Sequence, residues 1–174
     1  MKNLEKEIAA LFEENPVEHI AVKVGKGDKI LYETYKNTDS QTLFDMASVT
    51  KIMVTTTLCL MALDKGLLSV DDEVNKFFPT EKPLTIKNLL THTCGIGHKS
   101  LNVAGNTYDN VAEYILNIPQ DIPIGSDVLY SCPGFILLGK ILEKVYGKSL
   151  DRCFDEYVAP VLEYEKTSFK PSER

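Results

Sequence analysis

"FDMASVTKIMVTTTLCLMALDKG", residues 44 to 66, decides how the chain is read. The run from Ile52 to Leu63 is apolar enough for a buried helix, opened by Ser48 and ending at Gly66. Lys51 interrupts this reading, because lysine is rarely buried without a partner. It falls three residues after Ser48, and residues at that spacing share a helix face with Cβ atoms about 5–6 Å apart. A serine hydroxyl is a weak nucleophile until a neighbouring base takes its proton, and an amine in an apolar pocket can be that base. The free N–H groups and positive dipole at a helix start favour negative charge developing on an attacked carbonyl. The alternative is a first-turn lysine whose stem packs on the core while its ammonium reaches water. With lysine at about one residue in ten, a bare S-x-x-K arises by chance in roughly half of such chains. The pair alone does not choose.

Composition narrows the field. At 174 residues and 44% apolar content the chain fits one domain with a real core. A net charge of -6 without a basic cluster argues against nucleic acid as a partner. The longest apolar run, "IMVTTTLCLMAL", has 12 residues with three threonines, short of the roughly 20 that span a bilayer. The N-terminus "MKNLEKEIAALFEEN" reads as an amphipathic helix with Leu4, Ile8, Leu11 and Phe12 on one stripe. It is too charged for a secretory signal, so a cytoplasmic protein is expected. Cys59, Cys94, Cys132 and Cys153 form no CxxC pair and are expected to be thiols.

Working outward, "HIAVKV" (19–24) and "KILYETY" (29–35) flank a glycine-containing turn and predict a β-hairpin. "SVDDEVNKFF" predicts a short helix capped by Ser69, with Asp71, Asp72 and Glu73 at its positive end. "TIKNLLTHT" predicts one or two helical turns stopped by "CGIG", and "NVAEYILNI" a helix closed by Pro119. Residues 98–109 read as polar loop, and two prolines and a glycine make "PQDIPIGSDVLYS" irregular. "PGFILLGKILEKVYGKSL" predicts a strong helix with Pro133 in its first turn and Gly147 at its end. A last helix is expected near 150–158. Two strands against six or seven helices is unbalanced, since a lone hairpin is marginal in water.

Three segments together, "MASVTKIMVTTTLCLMALDKGLLSVDDEVNKFFP", "LTIKNLLTHTCGIG" and "PIGSDVLYSCPGFILLGKILEKVYGKSL", change the odds. From about Glu18 onward the chain resembles the serine β-lactamase-like family, which groups class C β-lactamases, D-Ala-D-Ala carboxypeptidases and related esterases. S-x-x-K is a catalytic signature of this wider group. The resemblance implies an α+β, β-lactamase/transpeptidase-like fold: a helical cluster packed on an antiparallel sheet, represented here mainly by the N-terminal hairpin. It implies one domain over 1–174, with the first helix and hairpin in 1–45 and the helical region with both motifs in 46–174.

The resemblance also implies a function: a serine hydrolase acting through an acyl-enzyme on a β-lactam, a D-amino acid peptide or a small ester, without cofactor or metal. Ser48 is then the acylated nucleophile, Lys51 its proton-transfer partner, and Tyr130 the tyrosine of a Y-x-N motif that helps move the proton to the leaving group. Lys51 and Tyr130 both remain candidates for the base. Cys132 stands in "YSC" where that motif has asparagine. A thiol is a weak donor and acceptor, so altered substrate binding or reduced activity is expected. Family members continue with further strands and a K-T-G or H-x-G motif, whereas this chain stops at "TSFKPSER". An N-terminal fragment or an impaired truncated product is therefore expected, and loss of one oxyanion donor costs about 100- to 1000-fold in rate. A non-catalytic binding protein on the same fold is the alternative. An open hairpin edge invites self-association. His92, Cys94 and His98 lie close in sequence but make a poor zinc set, and the stretch reads as a structural turn. His19 suggests no role.

Overall fold

The computed structural model describes residues 2–14, 16–97 and 110–169, and the chain separates into two compact units, Met1–Asp45 and Met46–Arg174. The polar stretch 98–109 and the last five residues of the tail lie outside the described residues.

In the first unit, helix α1 (Lys2–Glu14) precedes an antiparallel hairpin of β1 (Ile20–Lys26) and β2 (Lys29–Lys36). Ile8 is buried, but Leu11 is 60% exposed, so the apolar stripe read from the sequence is narrower than expected. Val22 faces Thr34 and Val24 faces Tyr32 across the ladder; a bulge at Val24/Gly25 then shifts the register so that Lys26 meets Lys29 around the Gly27–Asp28 turn. Strand alternation leaves Ile20, Val22 and Val24 half-buried while Lys23 points to solvent, where it pairs with Glu33 directly opposite at 3.2 Å. At such an exposed site solvent screens the pair, which adds little to stability. A 2.7 Å bond from Lys36 Nζ to the Phe12 carbonyl ties β2 back to the end of α1.

The second unit is helical. After Ser48 the chain enters a π-helical segment (Lys51–Thr56) that runs into helix α2 (Thr57–Asp64). Val54 and three successive threonines crowd this stretch, and the Thr57 hydroxyl bonds the Ile52 carbonyl five residues back at 3.0 Å. Side-chain bonds of this kind compete with the regular helical ladder. Gly66 ends α2 as expected: its φ is +65° and Leu67 N–H reaches back to the Ala62 carbonyl at 2.9 Å.

The helix expected from Ser69 does not form. The Ser69 N–H bonds the Asp72 carboxylate at 2.8 Å, and the Asp71 N–H bonds the Ser69 hydroxyl at 3.3 Å. These local bonds make a turn instead, and Glu73 extends to bridge Thr85, leaving one 3₁₀ turn at Val74–Lys76. Helix α3 (Ile86–Leu90) opens with a capping box between Thr85 and Asn88. Helix α4 (Val111–Asn117) follows, and residues 118–131 contain no helix or strand.

Helix α5 (Cys132–Tyr146) is the centre of the unit. Ser131 caps its start by accepting from the Gly134 N–H at 2.9 Å, and Gly147 ends it at φ +66°. Leu137, Leu138, Ile141 and Leu142 are fully buried along it, and α3, α4, the π-helical segment, α2 and α6 all pack on it. Helix α6 (Leu150–Cys153) continues as a second π-helical segment, Phe154–Val158, in agreement with the helix expected there. Glu143 of α5 accepts from the Leu150 N–H at 2.8 Å and so satisfies one of the free donors at the start of α6. Cys59, Cys94, Cys132 and Cys153 are free thiols, and burial pushes the Cys59 thiol up to about 11, leaving it an inert core group. Among the described residues, no helix is long and apolar enough to cross a membrane.

Candidate active site

Ser48 sits in the turn that delivers the chain into the Lys51–Thr56 segment. Three short-range bonds wind that turn: Val49 N–H to Met46 C=O at 2.8 Å, Thr50 to Ala47 at 3.2 Å, and Lys51 to Ser48 at 3.1 Å. Ala47, just before the serine, has φ +42°. A residue with a Cβ adopts this region at a cost of about 1–2 kcal/mol, and such strain collects where a side chain must be aimed.

The aim is clear in the distances. Lys51 Nζ lies 3.2 Å from Ser48 Oγ, and the Tyr130 hydroxyl, 82 residues along the chain, lies 2.7 Å from the same oxygen. The ammonium is also 5.3 Å from the centre of the Tyr130 ring. The structure therefore brings Ser48, Lys51 and Tyr130 together. Both groups donate to the Ser48 oxygen, and such a trio can move a proton: either partner, once deprotonated, can take the serine proton, and the phenol can hand one onward.

Cys132 does not join this hydrogen-bonded group. It is the first residue of α5 and half-buried, and among the described residues its thiol makes no hydrogen bond with Ser48 or Lys51. His98 lies outside the described residues. Among those described, no three His, Cys, Asp or Glu side chains are placed to hold a metal.

Sequence reasoning missed what holds Tyr130 in place. The segment His92–Gly97 runs beside residues 121–131 and is stitched to them by backbone bonds. Asp121 and Ile122 N–H donate to the Gly95 carbonyl at 2.7 and 3.3 Å, Gly125 N–H to Thr93 at 2.8 Å, and Leu129 N–H to His92 at 2.8 Å. The Asp121 carboxylate accepts from Gly97 N–H at 2.7 Å. His92 adds three side-chain contacts: its Nδ1 accepts from Ser131 N–H at 3.0 Å, and its ring lies 4.8 Å from the rings of both Tyr130 and Phe135. The Cys94 thiol donates to the Ser131 hydroxyl at 3.3 Å. Burial first and the nearby Lys51 cation second hold the His92 pKa below its ordinary value, which keeps the ring neutral and its Nδ1 an acceptor.

Comparison with known proteins places these residues in context. A family model described as Beta-lactamase matches residues 4–174. An N-acetylmuramyl-L-alanine amidase of Bacillus subtilis is 28% identical over 154 residues, covering 78% of this chain and 35% of the relative. Esterase EstB of Burkholderia gladioli is 29% identical over 157 residues, covering 76% of this chain and 40% of the relative. The chain thus spans well under half the length of these relatives. Among solved structures, a beta-lactamase/D-alanine carboxypeptidase from Pseudomonas syringae superposes with a TM-score of 0.83 at 19% identity, over 97% of this chain and 51% of that one. At that identity the likeness is one of fold, the α+β β-lactamase/transpeptidase architecture.

Proposed function

The chain belongs to the beta-lactamase family, and on that premise we propose that it is the nucleophile-bearing part of a serine acyl hydrolase. One observation carries the reading: a single serine oxygen lies within hydrogen-bond reach of both an amine, at 3.2 Å, and a phenol, at 2.7 Å. In the proposed reaction the Ser48 hydroxyl gives its proton to Lys51 as a neutral amine, or to Tyr130 as a phenolate, while its oxygen bonds the substrate carbonyl carbon. The tetrahedral adduct collapses, the bond to the leaving group breaks, and Tyr130 supplies the proton that the leaving group takes. Water then hydrolyses the Ser48 ester by the reverse transfer. The substrate class is a β-lactam, a D-amino acid peptide or a small ester. Cys132, with a thiol in place of an amide, weakens the hold on a substrate carbonyl. It favours a second reading in which the site binds or is acylated without turning over.

Incubation with a fluorophosphonate or a fluorescent penicillin, followed by peptide mass spectrometry, tests the reading. A stoichiometric adduct on the peptide bearing Ser48 is expected. A folded protein that stays unlabelled with both probes overturns it, and a penicilloyl ester that persists without product release selects the second reading over turnover.

Self-association belongs to the same proposal. The sheet has two strands among the described residues, so β1 and β2 are both edge strands, and an open edge templates pairing with another chain. Sedimentation should show a concentration-dependent dimer, and a monomer at every concentration removes this part.

A further inference from the structure

His92 touches Tyr130 from two directions at once. Its backbone carbonyl accepts from Leu129 N–H at 2.8 Å and its Nδ1 from Ser131 N–H at 3.0 Å, so one residue grips the chain on both sides of Tyr130. Between these bonds, the phenol ring rests 4.8 Å from the imidazole and its hydroxyl reaches Ser48 Oγ at 2.7 Å. Ser131 is fully buried, so its N–H has no ready replacement for the imidazole lone pair. The backbone of His92 is itself in the left-handed region, at φ +57°, which fixes where the ring points.

We propose that His92 is a positioning residue for Tyr130: as a neutral imidazole it clamps Leu129–Ser131 so that the phenol meets Ser48, and its protonation releases the clamp. The inference rests on the reading of Ser48 as the acylated residue. Protonation turns Nδ1 from an acceptor into a donor facing another donor, the Ser131 N–H. It also sets a second cation beside Lys51. Among the described residues, the titratable groups that face the ring are Lys51 from the segment after Ser48 and Tyr130 from the 118–131 loop; Phe135 of α5 packs on it as an apolar face. Among the described residues no carboxylate pairs with the imidazole to favour its charged form. Its neutrality at pH 7 follows from burial and from Lys51, so the clamp opens only on the acid side of histidine's usual value of about 6.5.

Two variants and one spectrum test the inference on the full chain. His92→Asn places an amide oxygen near the position of Nδ1, tolerates a positive φ, and does not titrate. His92→Phe keeps an aromatic ring and loses the acceptor. The rate of Ser48 labelling by a fluorophosphonate is followed from pH 4.5 to 8 beside thermal unfolding, and the Ser131 amide is followed by NMR in the unlabelled protein. Displacement of a reacting group by a distance of order 1 Å costs up to about 100-fold. His92→Phe should therefore slow labelling at pH 7.5 by between about 10- and 100-fold. His92→Asn should recover most of the rate while showing a shallower fall towards acid than the wild type. The Ser131 amide shift should follow the protonation of the wild-type ring and be flat in His92→Asn. Equal rates in wild type and His92→Phe, or identical acid limbs in wild type and His92→Asn, overturn the clamp. A wild type that never labels refutes the acyl-enzyme reading instead, and the Ser131 titration then decides the clamp alone: an amide indifferent to the ring's protonation refutes it.

Discussion

Lys51→Met is expected to slow acylation of Ser48 by about 100- to 10,000-fold, the span over which a positioned proton-transfer group contributes. Methionine keeps much of the stem's volume and removes only the ammonium that lies 3.2 Å from Ser48 Oγ. Tyr130→Phe removes the other partner, at 2.7 Å, while leaving the ring beside His92 and within 5.3 Å of Lys51 Nζ. Its effect is expected at about 100-fold, toward the lower end of the same range, because the amine remains to take the proton. The Tyr130 side chain is 44% exposed and Lys51 is half-buried, so neither change opens a core cavity. Thermal unfolding should therefore stay near the wild type. If both groups serve one proton path, the double variant loses less than the product of the single losses. Rates of mass shift with a fluorophosphonate read all three. Labelling of Lys51→Met within threefold of wild type would sink the assignment of the lysine, and independent losses would sink the shared path.

The Ser48–Lys51 half of the trio was legible because it is a spacing, whereas Tyr130 was expected only from the family resemblance. Ser48 and Lys51 are three residues apart, and a helical start makes that a contact whatever the tertiary fold. The termini of α5 were legible for a similar reason: Pro133 in the first turn and Gly147 at the end are local signals. Ser69 misled because serine followed by aspartates can cap a helix or close a turn with the same atoms. Which one wins depends on Glu73 finding Thr85, a partner the local pattern does not announce. His92 was invisible for a different reason. Its partner lies 39 residues away, and in sequence it was one of three soft ligands in a turn. The π-helical winding after Ser48 likewise left only a faint mark, three consecutive threonines in an apolar run. Contacts between neighbours in sequence could be read from the residues themselves, and those made by the meeting of two loops could not.

That meeting of loops can be broken at one atom. Gly95→Ala is expected to cost about 3–5 kcal/mol of stability and to slow labelling of Ser48 as well. Gly95 has φ +77°, and an added Cβ would run into the Ile122 carbonyl oxygen and stand 3.1 Å from Gln120 Cγ. The backbone conformation alone costs a side-chain-bearing residue about 1–2 kcal/mol. The clash adds more, because Ile122 must retreat, and Asp121 and Ile122 N–H then lose the Gly95 carbonyl that they share at 2.7 and 3.3 Å. Each such bond is worth about 1 kcal/mol, and a buried donor left unpaired costs more. Gly147→Ala separates the two contributions. It has a similar φ, +66°, with nothing within 4 Å of the added carbon, so only the backbone cost of about 1–2 kcal/mol should be seen. It also stands at the far end of the 15-residue α5, about 22 Å from the end that follows Tyr130, so labelling should be untouched. Urea unfolding gives the first quantity and the mass shift at Ser48 the second. Equal losses of stability in the two variants would mean that the loop contact at Gly95 contributes nothing beyond backbone conformation. A destabilised Gly95→Ala that labels at the wild-type rate would mean that the 92–97 segment supports the fold without holding Tyr130 to the serine.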